Sequence, residues 1–322
     1  EYTCYLTPNQ LRELAQSLSR TEIIGVGLTL AINDNRIVVH DVAMDGPAAM
    51  LQRGDQIISI DKKPVVDFRL KDVEDMLKGP AGSTVEIEYL SAKSMMVATI
   101  PLQRRAPVAS VSGLYPWAGT RYGYLRIGSF TETTVPDLDA TLDAFSREGM
   151  KGLILDLRAN GGGVFDSSIE AARRFLSTGI IASTQHQDPK LSQVYHARSP
   201  NALTIPIAVL IDSDTASAAE VLAGALKDNN RATLIGQTTY GKGCTQCLLK
   251  LPAGAGNVPT GGLKVTVARV FSPKGFPYSS RGVIPHIFID EMLANSEATM
   301  YGRDAYVDRA IEELNRALMS PK

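Results

Sequence analysis

Residues Val209–Gln246, VLIDSDTASAAEVLAGALKDNNRATLIGQTTYGKGCTQ, leave the chain few ways to fold. The run Ile207–Ile211 has no polar alternation, which predicts a buried strand. Asp212-Ser213-Asp214-Thr215 follows, with side chains that accept hydrogen bonds from the free N–H groups of a helix start. Ala216–Lys227, rich in Ala and Leu, is the expected helix, with Ser217 in its first turn. A second apolar strand, Ala232–Gly236, leads to a lysine between two glycines, Tyr240-Gly241-Lys242-Gly243. A serine at a helix start and a lysine in a tight glycine turn are the parts of a Ser–Lys nucleophilic pair.

A length of 322 residues suggests two domains. With 44% hydrophobic and 21% charged residues, the profile is soluble and globular, with ample material for a core. A formal net charge of −1 argues against electrostatic binding to nucleic acid or to an anionic membrane surface. No apolar run is long enough to span a bilayer, so no transmembrane segment is expected. The chain opens at Glu1 without a methionine, as a mature or trimmed form would, which is compatible with a removed signal peptide. Cys4, Cys244 and Cys247 are too few for a disulfide framework. Cys244-Thr245-Gln246-Cys247 lacks the second pair that a zinc site needs. It reads as a local disulfide or redox switch beside Lys242, or as two small buried side chains. His40, His186, His196 and His286 are scattered and form no ligand motif, so neither metal nor cofactor is expected.

Along the chain, Leu11–Leu18 reads as a short amphipathic helix. From Ile23 to about Leu102 runs a block of strands: Leu28–Ile32, Ile37–Val42, Gln56–Ile60, Thr84–Tyr89 and Met96–Pro101, with a helix at Leu70–Lys78. GVGL at 25–28, DGPAAMLQRGDQIISIDKKPV at 45–65 and KGPAGSTVEIEYL at 78–90 resemble a PDZ domain of the kind found in bacterial proteases. That resemblance implies binding of peptide C-termini by strand addition to a sheet edge. The backbone of Gly25, Val26, Gly27 and Leu28 would receive the terminal carboxylate.

After a linker at Gln103–Pro107, strands and helices alternate in α/β fashion. Strands are expected at Val108–Val111 and Tyr122–Ile127, a helix at Thr133–Glu148, a buried strand from Gly152 and a helix at Asp166–Leu176. His186–Asn201 reads as a loop. Strands at Leu248–Leu251 and Leu263–Val270 and a final helix at Asp304–Leu318 complete the pattern. Asn160-Gly161-Gly162-Gly163 follows the strand from Gly152. It is not a nucleotide fingerprint, having neither G-x-G-x-x-G nor the P-loop spacing. It can instead present N–H groups to an oxyanion, beside the Ala218 N–H at the helix start. Asp156 and Arg158 could pair and hold this loop, or form an ordinary surface ion pair. There is no G-x-S-x-G nucleophile elbow. Ser59-Ile60-Asp61-Lys62 is an S-x-x-K of the kind that chance supplies.

The segment TASAAE at 215–220 with GKG at 241–243, DLRANGGG at 156–163, TVARVFSP at 266–273 and GVIP at 282–285 resembles the carboxy-terminal processing proteases, tail-specific serine peptidases with a PDZ domain. The resemblance covers nearly the whole chain. It implies Ser217 as nucleophile, Lys242 as general base, Gln246 orienting the lysine, and Ala218, Gly162 and Gly163 as oxyanion donors. It also implies a ClpP/crotonase-like α/β catalytic domain with the mainly-β PDZ block inserted in it: residues 1–22 and 104–322 around 23–103. Substrates would be protein or peptide C-terminal tails, the setting extracytoplasmic (periplasmic or secreted), and a homo-oligomer is compatible with the family. Two departures stand out: Asp212-Ser213-Asp214 replaces the usual Asn-x-Gly, and His286 replaces a usual acidic residue. In a straight strand Lys242 and Gln246 would lie about 13 Å apart, so a bend near Gly243 is expected. A PDZ scaffold with an inactive peptidase fold, and a hydrolase pairing Ser217 with a histidine, are the competing readings.

Overall fold

Strands that are apolar on both faces need a layer on each side, and the chain supplies both layers around one sheet. The computed structural model describes residues 2–19, 25–33, 36–42, 47–66, 68–79, 82–104, 110–117, 120–252, 260–290 and 304–319. The turns expected at 34–35, 46 and 80–81, most of the linker at 103–107 and the glycine-rich stretch 253–259 lie outside these residues. Two compact units form: Glu1–Ser19 with Ser112–Lys322, and Arg20–Val111. The chain begins with β1 (Cys4–Leu6) and α1 (Pro8–Ser19). The helix starts three residues earlier than its apolar pattern suggests. Thr7 and Gln10 form a reciprocal cap, Thr7 N–H to Gln10 Oε1 at 3.0 Å and Gln10 N–H to Thr7 Oγ1 at 3.3 Å, and Pro8 at the first position has no N–H to leave unpaired.

The second unit holds β2 (Leu28–Asn33), β3 (Arg36–Val42), β4 (Gln56–Ile60), β5 (Lys63–Pro64), α2 (Leu70–Leu77), β6 (Thr84–Leu90) and β7 (Val97–Gln103). The sheet order is β2-β3-β4-β6-β7, with β5 on β4, so β2 is an outer strand. Period-two alternation puts Val85 and Ile87 of β6 inside with Ile57, Ile60 and Val73. Arg104 closes the C-terminus of α2, donating to the Leu77 and Met76 carbonyls at 3.0 and 3.1 Å, where the helix dipole favours a cation.

The rest of the first unit comprises β8 (Ser110–Trp117), β9 (Thr120–Ile127), α3 (Thr134–Arg147), β10 (Gly152–Asp156), α4 (Phe165–Phe175), β11 (Ile180–His186), a 3-10 turn at Pro189–Leu191, β12 (Gln193–His196), β13 (Ile207–Ile211), α5 (Ala218–Asp228), β14 (Thr233–Gly236), β15 (Cys244–Lys250), β16 (Gly262–Phe271), β17 (Ile287–Phe288) and α6 (Ala305–Met319). The main sheet runs β17-β14-β13-β10-β9-β8, with parallel pairing from β9 through to β17. Leu153 and Leu155 of β10 face one way, into a core with α3, α4 and α5. Ile154 faces the other way, against Tyr306, Ile311 and Leu314 of α6. Each such side chain, fully buried, contributes roughly 1.5–3 kcal/mol. A second sheet runs β1-β16-β11-β12, with β15 also on β16.

His186–Asn201, expected as a loop, instead contains β12, paired antiparallel to β11. Three of its four residues are exposed, so a short edge strand of this kind lacks the apolar alternation by which strands are read. What the fold does for function follows from the parallel order β14-β13-β10. These neighbours end side by side, so the chain segments 157–164, 212–217 and 237–243 emerge together at the carboxyl edge, where open α/β sheets place their sites.

Candidate active site

Ser217 is not inside the first turn of α5 but is its N-cap, with φ 58° and ψ −118°. A positive φ in a non-glycine residue costs on the order of 1–3 kcal/mol and persists only where neighbours impose it. They do so here. Ser217 N–H donates to Glu220 Oε2 at 2.7 Å, and Ala216 N–H to the Asn160 carbonyl at 2.8 Å. Thr215 Oγ1 donates to the Leu157 carbonyl at 2.9 Å. Asp212 accepts from the Thr215 N–H at 2.8 Å and, through its other oxygen, from the Ala159 N–H at 2.8 Å. Burial, with Asp214 nearby, pushes the Asp212 carboxyl above the usual range. The result is a strained strand-to-helix turn at Ser217, of the kind by which a nucleophile elbow exposes its side chain. It is built with Thr215 and Ala219 where the elbow motif has glycines, which is why that motif is absent.

The loop after β10 is held by Asn160, which is fully buried. Its Nδ2 donates to the Ile127 carbonyl at 2.7 Å, and its Oδ1 accepts the Gly162 N–H at 2.9 Å. Gly162 therefore does not offer its N–H to an oxyanion, contrary to expectation. Its role is close approach: a Cβ there would lie 2.7 Å from Ser217 Cβ and 2.9 Å from the Ala216 carbonyl oxygen. The N–H groups of Ala218 and Gly163 have no acceptor among the described residues. Asp156 and Arg158 form no ordinary surface pair. Asp156 is 1% exposed, meets Arg158 at 2.6 Å, and accepts from Tyr124 Oη at 2.6 Å, while Arg158 also reaches Asp304 at 2.8 Å. Burial pushes the Asp156 carboxyl up, but Arg158, with Arg126 and the Tyr124 hydroxyl, outweighs it and holds the group below the usual range.

Lys242 follows Gly241, whose φ of 86° requires glycine. Thr239 Oγ1 and Gly241 N–H donate to Glu220 Oε1 at 2.6 and 2.8 Å, and Lys242 N–H donates to Oε2 at 2.8 Å. One carboxylate oxygen thus holds the backbone nitrogens of both Ser217 and Lys242. Burial lowers the Lys242 amine below the ordinary lysine range, helped by the charge of Lys264 and opposed by Cys244 and Glu220. The Lys242 Nζ lies 5.4 Å from the centre of the Tyr2 ring.

Residues 240–243 are not strand. β15 starts only at Cys244, and the pairing register shifts between Thr245 and Gln246. The chain from Lys242 to Gln246 is therefore not one straight strand. The Gln246 amide nevertheless donates to the Tyr2 carbonyl at 2.8 Å rather than meeting Lys242. Cys244 and Cys247 are free. Three residues apart on one extended strand, their Cα atoms are separated by about 10 Å, too far for a local disulfide.

No described histidine hydrogen-bonds to Ser217. His286 Nδ1 accepts the Leu234 N–H at 2.9 Å and pins β17 to β14. Ser59 of the S-x-x-K donates to Glu88 at 2.9 Å, and Lys62 is exposed. In the second unit, Val26 is buried in the core and its carbonyl accepts the Ala48 N–H at 3.1 Å. Gly27 has φ 77°, and Leu28 opens the outer strand β2. Glu220, Asn160 and Tyr2 carried no role in the sequence reading. Only Glu220 had a legible signal, the S-x-x-E spacing of a capping box at 217–220.

Residues 121–289 match peptidase family S41, and residues 16–90 match the PDZ domain. The chain is 33% identical over 293 residues to a carboxyl-terminal-processing protease of Picosynechococcus sp., covering 88% of this chain and 68% of that protein. It is 32% identical over 322 residues to one of Synechocystis sp., covering 97% and 73%. Among solved structures, a photosystem II D1 C-terminal processing protease superposes with a TM-score of 0.57 at 30% identity, over 95% of this chain and 83% of that one.

Proposed function

Because the chain belongs to peptidase family S41, among its carboxyl-terminal processing proteases, and carries a PDZ domain, we propose that Ser217 and Lys242 are the catalytic pair of this serine-type peptidase. Ser217 Oγ attacks the peptide carbonyl while the neutral Lys242 amine takes its proton. The resulting oxyanion accepts hydrogen bonds from the Ala218 and Gly163 N–H groups, and the α5 dipole favours the charge. The Lys242 ammonium then protonates the leaving amine, and the same amine later activates the water that hydrolyses the ester. Gln246 orients Lys242 once its amide leaves the Tyr2 carbonyl. Substrates are protein tails cleaved near their C-termini, in an extracytoplasmic setting by likeness to bacterial processing proteases.

The reading is supported above all by the strained turn at Ser217, which stands at the N-terminus of a buried helix beside the segment that carries a lysine of lowered pKa. Recruitment by the PDZ domain is supported by the outer position of β2 and the positive φ of Gly27 before it. The fold reading is a ClpP/crotonase-like domain with residues 23–103 inserted. It is supported by the pairing of Cys4–Leu6 with Gly262–Lys264, which brings the first residues onto a strand from the far end of the chain.

The test is cleavage of an unfolded protein with a free C-terminus by the parent chain, Ser217→Ala and Lys242→Ala, with fluorophosphonate labelling of Ser217 alongside. Each substitution is expected to lower kcat by about a thousandfold or more. Undiminished cleavage by Lys242→Ala would remove the lysine as base. An inert parent chain would favour a PDZ scaffold.

A further inference from the structure

Glu220 is fully buried, one turn into α5 from Ser217. Its Oε1 accepts from Thr239 Oγ1 and the Gly241 N–H, and its Oε2 from the Ser217 and Lys242 N–H groups, at 2.6 to 2.8 Å. A buried carboxylate is costly unless its lone pairs are filled, and here neutral donors fill them. A helix cap would need only the Ser217 contact. The other three donors come from the segment that presents Lys242. We propose that Glu220 is a positioning residue for catalysis, fixing the turn of Ser217 and the loop of Lys242 against each other through one carboxylate. The inference rests on reading Ser217 and Lys242 as the catalytic pair.

A structural cap and a catalytic positioner differ in what they do to the lysine. The Glu220 charge favours the ammonium form of Lys242 and so opposes burial and Lys264; Cys244 and the Tyr2 ring also face this amine. Glu220→Gln removes the charge and sets an NH2 against two of the four donors. Glu220→Asp keeps the charge and draws the carboxylate back by one methylene.

The experiment measures kcat, KM and the pH profile of kcat/KM for the full chain and both variants on a tail peptide, with thermal melts to show that each is folded. Both variants are expected to lose kcat by about tenfold to a hundredfold, with KM changed by less than about threefold. The acid limb should move to lower pH in Glu220→Gln and stay in place in Glu220→Asp. If Glu220→Gln does not fold, Glu220→Asp and Thr239→Val, which removes one donor, carry the test through kcat. A folded variant with parental kcat overturns the inference, as does a Glu220→Gln profile with an unmoved acid limb. Cleavage that survives Lys242→Ala would instead sink the catalytic pair itself. Inactive Ser217→Ala and Lys242→Ala beside parental Glu220 variants would sink only the role of Glu220.

Discussion

As the proposed base, Lys242 must be neutral to accept a proton at working pH, and its neighbours pull in opposite directions. Burial and Lys264 lower its pKa, Cys244 and Glu220 raise it, and the net direction is down. A base of lowered pKa is deprotonated at lower pH, so kcat/KM should rise with pH through a midpoint below the ordinary lysine value. Lys264→Met removes a cation that disfavours the ammonium form. The midpoint should then shift to higher pH, and an unmoved limb in the pH–rate profile would show that Lys264 does not reach the amine. Gly162 tests the geometry on the other side of Ser217. Alanine there would need a positive φ of about 101° and a Cβ 3.0 Å from the Ala218 nitrogen. The Ser217 turn would have to shift, and kcat of Gly162→Ala is expected to fall by about a hundredfold while fluorophosphonate labelling of Ser217 slows in parallel.

The elements carrying these residues differ in how much of them can be read without coordinates. β13 and β14 announce themselves as apolar runs, and α5 by its Ala and Leu content, so the order around Ser217 was legible. The start of α5 was legible only in part: the S-x-x-E spacing at 217–220 signals a cap, but the bond from the Ala216 N–H to the Asn160 carbonyl, distant in sequence, leaves no pattern. For the same reason a hydrogen bond to Asn160 took Gly162 out of the donor set, and the Tyr2 carbonyl took Gln246. All nine residues from Ala218 to Leu226 are buried, which explains why small side chains dominate the helix. Gly224 is the tightest case: a Cβ there would press on the buried Tyr278 ring, within 2.8 Å of one ring carbon. Gly224→Ala gains helix propensity but overpacks, and a net loss of about 1–3 kcal/mol is expected in thermal or urea unfolding. A variant as stable as the parent would mean that Tyr278 yields freely.

At the scale of the whole molecule, the two units have separate cores and separate chemistry. The Ser217 and Lys242 segments belong to the first unit, while the outer strand β2 and the Gly25–Leu28 backbone belong to the second. Strand addition gives an extended peptide main-chain hydrogen bonds, and N–H groups at the start of β2 are suited to a terminal carboxylate. If tails are recruited there, binding and bond cleavage should respond to different changes. Amidating the C-terminus of a peptide substrate removes the carboxylate charge and leaves the scissile bond untouched. KM is then expected to rise by about tenfold or more, the loss of one charge-assisted contact of roughly 1.5–3 kcal/mol, with kcat at saturation preserved. Ser217→Ala should do the reverse, abolishing turnover while the acid and amide peptides keep their difference in binding, read by fluorescence anisotropy. Equal KM for acid and amide would locate tail recognition outside the carboxylate. A fall in kcat alone on amidation would mean that the carboxylate is read at the scissile site, making the catalytic unit itself the reader of the C-terminus.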